Sequence, residues 1–504
     1  MDIGRGVSGL LIAGAILLPP AVAAEPVRLY FEVRGADGGL LPCRIHVSDG
    51  SDTLFAPPGL PAFKNHFSCP GTAELALEPG VYDFTIERGP EFRRAVGRIT
   101  LSEGGGGAAV RVRLSRLANM KSEGWWSGDL HVHRPPEDME AIMRAEDLHV
   151  APVITWWNER NLWRDRPLPD PVLLNFDGDR YCHLMAGEDE RGGGAFMFFN
   201  LESPVDITGA DREYPSQTHF LPAVKSRGGW VDLEKPFWWD APIGIGLGLV
   251  DSIGIANNHM WRHGMLDNEA WGRPRPSETE PPAYGGGLWT QEIYYHVLNA
   301  GLRIPPSAGS ASGVIPNPVG YNRVYVQLDG PMEHAAWWEG LRAGRSFVTN
   351  GPLLRVTADG QWPGHVFRGA GGAPVSIALA GVLDSDDPVR TIQLIRDGNV
   401  EQEFSPEAFM AAGATMTFDR SGWFLVRAIA DLDHTFRFAS TAPWYVEIGG
   451  EGQPVRRESV EFFLDWIDRR KAALELPEGQ KAEVLMDHDR ARAFWSKKLA
   501  GATR

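Results

Sequence analysis

The feature that most constrains this chain is a switch of hydrophobic period within about thirty residues. "WWSGDLHVH" (Trp125 to His133) reads as a strand. "PPEDMEAIMRAEDL" follows, with Met139, Ile142 and Met143 at helical spacing behind Pro136, a residue suited to a first helical turn. "HVAPVITWW" then runs almost wholly apolar, as a strand buried on both faces does. Strand, helix and strand in so short a span make a βαβ unit, whose two strands run parallel. Further strand-like runs follow: "YCHLMAG", "FMFFNL", "GWVDLE", "DSIGIAN", "LRIPPSAG" and "NRVYVQL". Helical patterns lie among them in "LPAVKS", "LWTQEIYYHVLNAG" and "PMEHAAWWEGLRAG". This alternation predicts an α/β fold, a distorted TIM-like barrel over residues 119–351.

The flanks differ. Residues 25–118 hold "VRLYFEVRG", "CRIHVSDG", "GVYDFTIERG" and "AVRVRLSRL", β-branched and aromatic runs between Gly, Asp and Pro turns, and predict an all-β unit. "LALEPGVYDFTIERGPEFR" resembles the small carboxypeptidase-regulatory-like or transthyretin-like sandwich. Residues 352–450 turn β again and predict a second sandwich. Residues 451–504 predict amphipathic helices, with Phe462, Phe463 and Trp466 on one side, that cap the assembly. At roughly 150 residues per domain, 504 residues make room for three or four units.

Residues 1–24 read as an export leader. Arg5 is its basic end, "VSGLLIAGAILL" (Val7 to Leu18) its apolar core, and "AVAA" its small-residue cleavage site. That core is too short to span a bilayer comfortably, so a periplasmic or extracellular protein with no membrane span is expected. The net charge of −16 argues against nucleic acid and anionic membrane as partners. The 18 tryptophans serve either as core or as platforms for sugars and flat ligands. Cys43 and Cys69 form either a disulfide, as an oxidising compartment allows, or two buried thiols. Cys182 is odd by count and reads as a small buried residue.

Chemistry in a parallel barrel gathers at the C-terminal ends of strands. There the sequence presents His131 and His133, which share a strand face because side chains alternate. Trp157 and Asn158 end the next strand, and Glu188 ends "YCHLMAGE". Asp232, Glu234 and Lys235 end "GWVDLEK", and Asn257, Asn258 and His259 end "DSIGIANNH". Two histidines and a carboxylate at adjacent strand ends suit one divalent metal, Zn, Mn or Fe. The expected ligands are His131, His133, Glu188 and His259. Glu234 and Lys235 are the expected catalytic pair, with Glu234 or else Glu188 as base and Lys235 as oxyanion stabiliser. Asp129 is placed behind the imidazoles to orient them, and Trp157, Asn158, Asn257 and Asn258 line the substrate. An HxH pair alone occurs often without metal, and each of these side chains also has a plain packing or hydrogen-bonding reading. Glu292 and His296, four apart on a helix, read as helix packing.

"GWWSGDLHVH" and "AGRSFVTNGP" (Ala343 to Pro352) together resemble the PHP (polymerase and histidinol phosphatase) superfamily, in its carbaryl-hydrolase-like CehA/McbA branch. The resemblance spans about 119 to 352 and implies a distorted (β/α)7 barrel with bound metals that hydrolyses phosphate, carbamate or amide bonds. His131, His133 and Glu188 match that family's ligands. Trp157, Ala195, Lys235, Ala311 and Gly313 stand where it places others. A single-metal centre is therefore what the resemblance implies. Two functions remain open: a secreted metal-dependent hydrolase, and a degenerate barrel that binds a glycan or other ligand through Trp125, Trp126, Trp156, Trp157, Trp238 and Trp239.

Overall fold

The computed structural model describes residues 25–266, 268–269, 272–275 and 282–503, and the expected leader lies outside them. Residues 25–118 form two small sheets. One pairs Thr72–Leu77, Val27–Arg34 and Ala108–Arg113, and the other is built on Cys43–Ser48 between His66–Cys69 and Gly80–Glu87. Alternation explains the first: along Val27–Arg34 every second side chain is buried, sending Leu29, Phe31 and Val33 into a shared core with Ile45, Phe67 and Ile86.

The expected βαβ unit is present. The strand Trp125–Gly128 leads through the helix Met139–Glu146 to the strand Val150–Trp157, and the two strands pair in parallel. Val150–Trp157 pairs in parallel with Arg180–Arg191, Trp230–Leu233 with Ser252–Ala256, and Ser252–Ala256 with Pro306–Ala308.

The fold class expected from the sequence does not hold. The chain is mainly β, 37% strand against 22% helix, and no TIM-like α/β barrel flanked by two sandwiches is formed. A barrel of that kind needs parallel neighbours joined by helices. Here Arg180–Arg191 pairs antiparallel with Leu173–Phe176 and Gly194–Phe199, and Gly194–Phe199 antiparallel with Trp230–Leu233. Arg323–Gln327 pairs antiparallel with both Trp125–Gly128 and Ser346–Thr349. Short turns join Leu173–Phe176 to Arg180–Arg191 and Arg180–Arg191 to Gly194–Phe199, while the helices Leu221–Ser226 and His334–Arg342 lie in connections between antiparallel neighbours. The sheet also runs past residue 352, because Ser346–Thr349 pairs with Phe438–Thr441. One core correspondingly combines Trp125, Tyr325 and Phe347 with Leu354, Phe424 and Trp444.

The "TNGP" stretch makes that join. The Asn350 side chain donates to Phe436 O (3.0 Å) and accepts from Phe438 N (2.8 Å), while Thr349 Oγ1 donates to Pro352 O (2.6 Å). The helices Arg457–Ala473 and Glu478–Ala500 pack together through Phe463 stacked on Trp495 (4.5 Å), and Arg470 reaches Asp240 (2.8 Å). Among the described residues no helix is long and apolar enough to cross a membrane.

Candidate metal centre

His131 and His133 do not lie in a long strand. Val132 between them bridges in parallel to Val153 on one side and to Ser312 on the other. That short extended segment is enough to turn both imidazoles the same way. Glycines let the third partner approach: a Cβ on Gly309 would lie 2.3 Å from His131 Cβ, and one on Gly313 would lie 2.4 Å from His133 O. Gly313 sits where the PHP resemblance calls for a further ligand. The backbone of His133 leaves no room for one.

Asp129 holds the same junction. Its carboxylate accepts from His131 N (3.0 Å), Ser310 N (2.9 Å), Ser310 Oγ (2.5 Å) and Gly320 N (2.6 Å). The expected role of orienting an imidazole is corrected: Asp129 ties the backbone of the His131 segment to the loop at 310–320. Burial raises its pKa, against the pull of these donors.

Three donor atoms converge. His131 Nε2 lies 3.0 Å from His133 Nε2 and 3.7 Å from Glu188 Oε2, and His133 Nε2 lies 3.1 Å from that oxygen. A tetrahedral ion with bonds of about 2.0–2.1 Å sets its ligands about 3.3 Å apart, so the triangle fits one such ion. Among the described residues these three form the one group of His, Cys, Asp and Glu side chains so placed.

Glu234 supplies the orienting group. Its Oε1 lies 3.0 Å from His131 Nδ1, so a cation held on Nε2 would leave the remaining ring proton on Nδ1, given to Glu234. Glu234 was expected as a base. It is instead buried, paired with Lys235, and held down to about 2: burial would raise its pKa, but Lys235 and His131 outweigh burial. A carboxyl so acidic accepts protons poorly. Lys235 is also corrected as an oxyanion group. Its ammonium is buried between Glu234 and Glu190 (3.9 Å), 4.2 Å from the Trp238 ring centre.

The site favours positive charge. Burial works to lower the pKa of His131, yet Glu188 and Glu234 together lift it to about 10. Glu188, against burial, is held well below the carboxylate range by both imidazoles. Glu190, two residues on and so on the same face of its strand, is pushed up to about 7, first by burial and then by Glu188. Glu188, Glu234 and Glu190 surround the Lys235 ammonium and His131, and this carboxylate cluster would favour a divalent cation in place of the His131 proton.

His259 does not join the group. It is buried, its ring 5.1 Å from Phe237, and burial holds it down to about 4. The Asn257 side chain bonds backbone groups, and Asn258 contributes its own backbone N–H. Asn257 accepts from His259 N (3.1 Å), and Asn258 N donates to Glu234 Oε1 (3.3 Å). Asn158 clamps the Glu188 strand, accepting from Glu190 N (2.8 Å) and donating to Glu190 O (2.7 Å). Trp157 is at the site, its ring 5.0 Å from that of His133. An open pocket of about 200 Å³ lies beside it, lined by His133, Thr155, Trp157, Arg160, Gly313 and Val314 among others. Sequence reasoning passed over Arg160, whose guanidinium lies 5.2 Å from the Trp157 ring centre, and Glu190. The alternation in "GEDE", which puts Glu188 and Glu190 on one face, was the available signal. Trp125, Trp126, Trp156 and Trp238 are buried and unavailable as a broad stacking surface. His296 is a packing residue, bonded to Ser459 Oγ (2.9 Å) and stacked on Phe462.

No family model matches this chain. No curated protein matches it either. Among solved structures, the fibronectin(III)-like modules of CbhA from Clostridium thermocellum are similar at 16% identity, over 25% of this chain and 62% of that chain, with a TM-score of 0.15. A likeness that slight carries nothing about fold or function.

Proposed function

We propose that this chain is a hydrolase that uses one divalent cation held by His131, His133 and Glu188. The observation behind the proposal is the pair of imidazoles and the carboxylate oxygen at 3.0, 3.1 and 3.7 Å, with Glu234 holding the His131 proton on the far nitrogen. Such a cation, when bound, polarises a substrate oxygen and makes a coordinated water acidic enough to act as a nucleophile near neutral pH.

The remaining work falls to the chain. Glu234 orients His131, and Lys235 compensates the Glu234 charge. Asp129, through the backbone, keeps the His131 segment against residues 310–320. Gly313 lets that loop close. The pocket beside His133 receives the substrate, with Trp157 as an apolar wall and Arg160 at its mouth to pair with an acidic group or a polarised carbonyl. Glu190, on the same strand face as Glu188 and partly open to solvent, is the carboxylate placed to move a proton. The substrate classes that suit are esters, amides or carbamates, and phosphoesters. We further propose export from the cytoplasm, on the leader-like residues 1–24.

The test is a hydrolysis screen over p-nitrophenyl esters, carbamates and phosphoesters, with and without a chelator. Activity that a chelator removes, Zn²⁺ or Mn²⁺ restores and Glu188→Gln abolishes supports the reading. Activity indifferent to chelator and to Glu188→Gln overturns it.

A further inference from the structure

We infer that Cys43 and Cys69 form an intrachain disulfide that staples two neighbouring strands of one N-terminal sheet, from which contacts reach the His131–Glu146 segment. The strand Cys43–Ser48 runs antiparallel to His66–Cys69, with Cys43 directly opposite Cys69. Residues so opposed carry their Cβ atoms about 4.5–5.5 Å apart, and a disulfide spans about 3.5–4.5 Å between Cβ atoms, so the ranges meet. Both side chains are buried in one apolar core with Ile45 and Phe67. Both are free thiols in this structure, and each perturbs the other, Cys43 being pushed up and Cys69 down. Cys182 is no rival. It lies buried in a different cluster, with Met143 and Leu184.

The position gives the bond a purpose. Residues 49–61, between the two cysteines, form no strand, so little backbone pairing holds them. Two contacts to the metal-site segment flank the pair. Arg44, next to Cys43, ion-pairs with Glu146 at the end of the helix that follows His133. Arg134, next to His133, donates to Ala62 O (3.2 Å), and its guanidinium lies 5.1 Å from the Phe63 ring centre. A bond between Cys43 and Cys69 ties these two supports to each other.

The chemistry is thiol–disulfide exchange with a small or protein disulfide as oxidant. Gly71 N donates to Cys69 Sγ (3.4 Å), which favours negative charge on that sulfur. The Cys69 thiolate attacks one sulfur of the oxidant, forming a mixed disulfide and releasing one thiol. The Cys43 thiolate then attacks Cys69 Sγ, forming the intrachain bond and releasing the second thiol. Two protein thiols are oxidised by two electrons, two protons leave, and the oxidant's S–S bond is reduced. Burial of both sulfurs means that the exchange takes place before the sheets close and that the finished bond is shielded from reductant.

The experiment uses the full chain, refolded from denaturant in a glutathione redox buffer, quenched in acid, then alkylated with iodoacetamide in denaturant and weighed intact. One alkyl group per chain, on Cys182, together with a linked Cys43–Cys69 peptide in a digest, is expected. A Cys182→Ser variant should take up none. Three alkyl groups, or a linked peptide that contains Cys182, would overturn the inference. The readout is covalent, so it does not depend on any cysteine-free variant folding.

Discussion

Replacing Gly313 by alanine isolates what the close approach of residues 309–313 does for the proposed metal centre. The added Cβ would lie 2.4 Å from His133 O, 2.6 Å from His133 C and 2.9 Å from His133 Cβ. Real Cβ atoms do not come closer than 3.0 Å, so the loop and the His133 backbone must part by at least 0.6 Å (3.0 − 2.4). Metal–ligand distances tolerate about 0.2 Å, so the shift is several times what a ligand can absorb. Gly313 also has φ +105°, a conformation that adds a strain of about 1–3 kcal/mol for alanine. Gly360→Ala is the control: φ is +74° there too, but nothing lies within 4 Å of its Cβ. Both variants should lose about 1–2 kcal/mol in urea denaturation from backbone strain alone. Only Gly313→Ala should also lose Zn²⁺ affinity, by about 10–100-fold in competition with a chromophoric chelator, the range for losing a group that supports a ligand. Wild-type Zn²⁺ affinity in Gly313→Ala would refute the idea that this approach sets the His133 position.

Other consequences follow from the same contacts. Glu234→Gln keeps an acceptor for His131 Nδ1 but removes the charge, and should weaken Zn²⁺ binding by about 10–100-fold without unfolding the chain, measured by chelator competition and circular dichroism. The buried Asp240 carboxyl, despite burial, is held below the ordinary range by Arg470 and His488. Its folded pKa lies under its unfolded one, so its stabilisation is present at neutral pH and is lost as pH falls below about 4. Asp240→Asn should therefore flatten the fall in melting temperature between pH 6 and about pH 3. Trp495 is fully buried, stacked on Phe463, and its Nε1 donates to Pro242 O (2.9 Å). Trp495→Ala should cost about 3–5 kcal/mol in urea denaturation, where a loss under 1 would show that the C-terminal helices do not share the core.

The cluster of His131, His133 and Glu188 was legible in the sequence because its signal is local. His131 and His133 need only a strand's alternation, and Glu188 ends a recognisable apolar run. The βαβ unit was legible for the same reason, as were residues 288–299, 457–473 and 488–499 of the later helices, while the starts of two of them at 282 and 478 were not. The fold class was not. "GAFMFF" at 194–199 is buried throughout, yet pairs antiparallel on both sides. An unbroken apolar run shows that a strand is covered on both faces, and does not show which way its neighbours run. The roles of Glu234 and Asp129 were hidden by separation along the chain. Glu234 meets His131 across 103 positions, and Asp129 meets Gly320 across 191. Nothing local marks such partners. The tryptophans misled for a related reason, because composition counts rings and burial decides which of them a ligand can reach.

The measurement closest to the central claim is metal content by elemental mass spectrometry on protein prepared without chelator, beside a His131→Ala/His133→Ala double variant. The convergence of His131, His133 and Glu188 predicts about one divalent ion per chain in the first and none in the second. A wild-type chain that stays free of metal after incubation with Zn²⁺ and Mn²⁺ would contradict it.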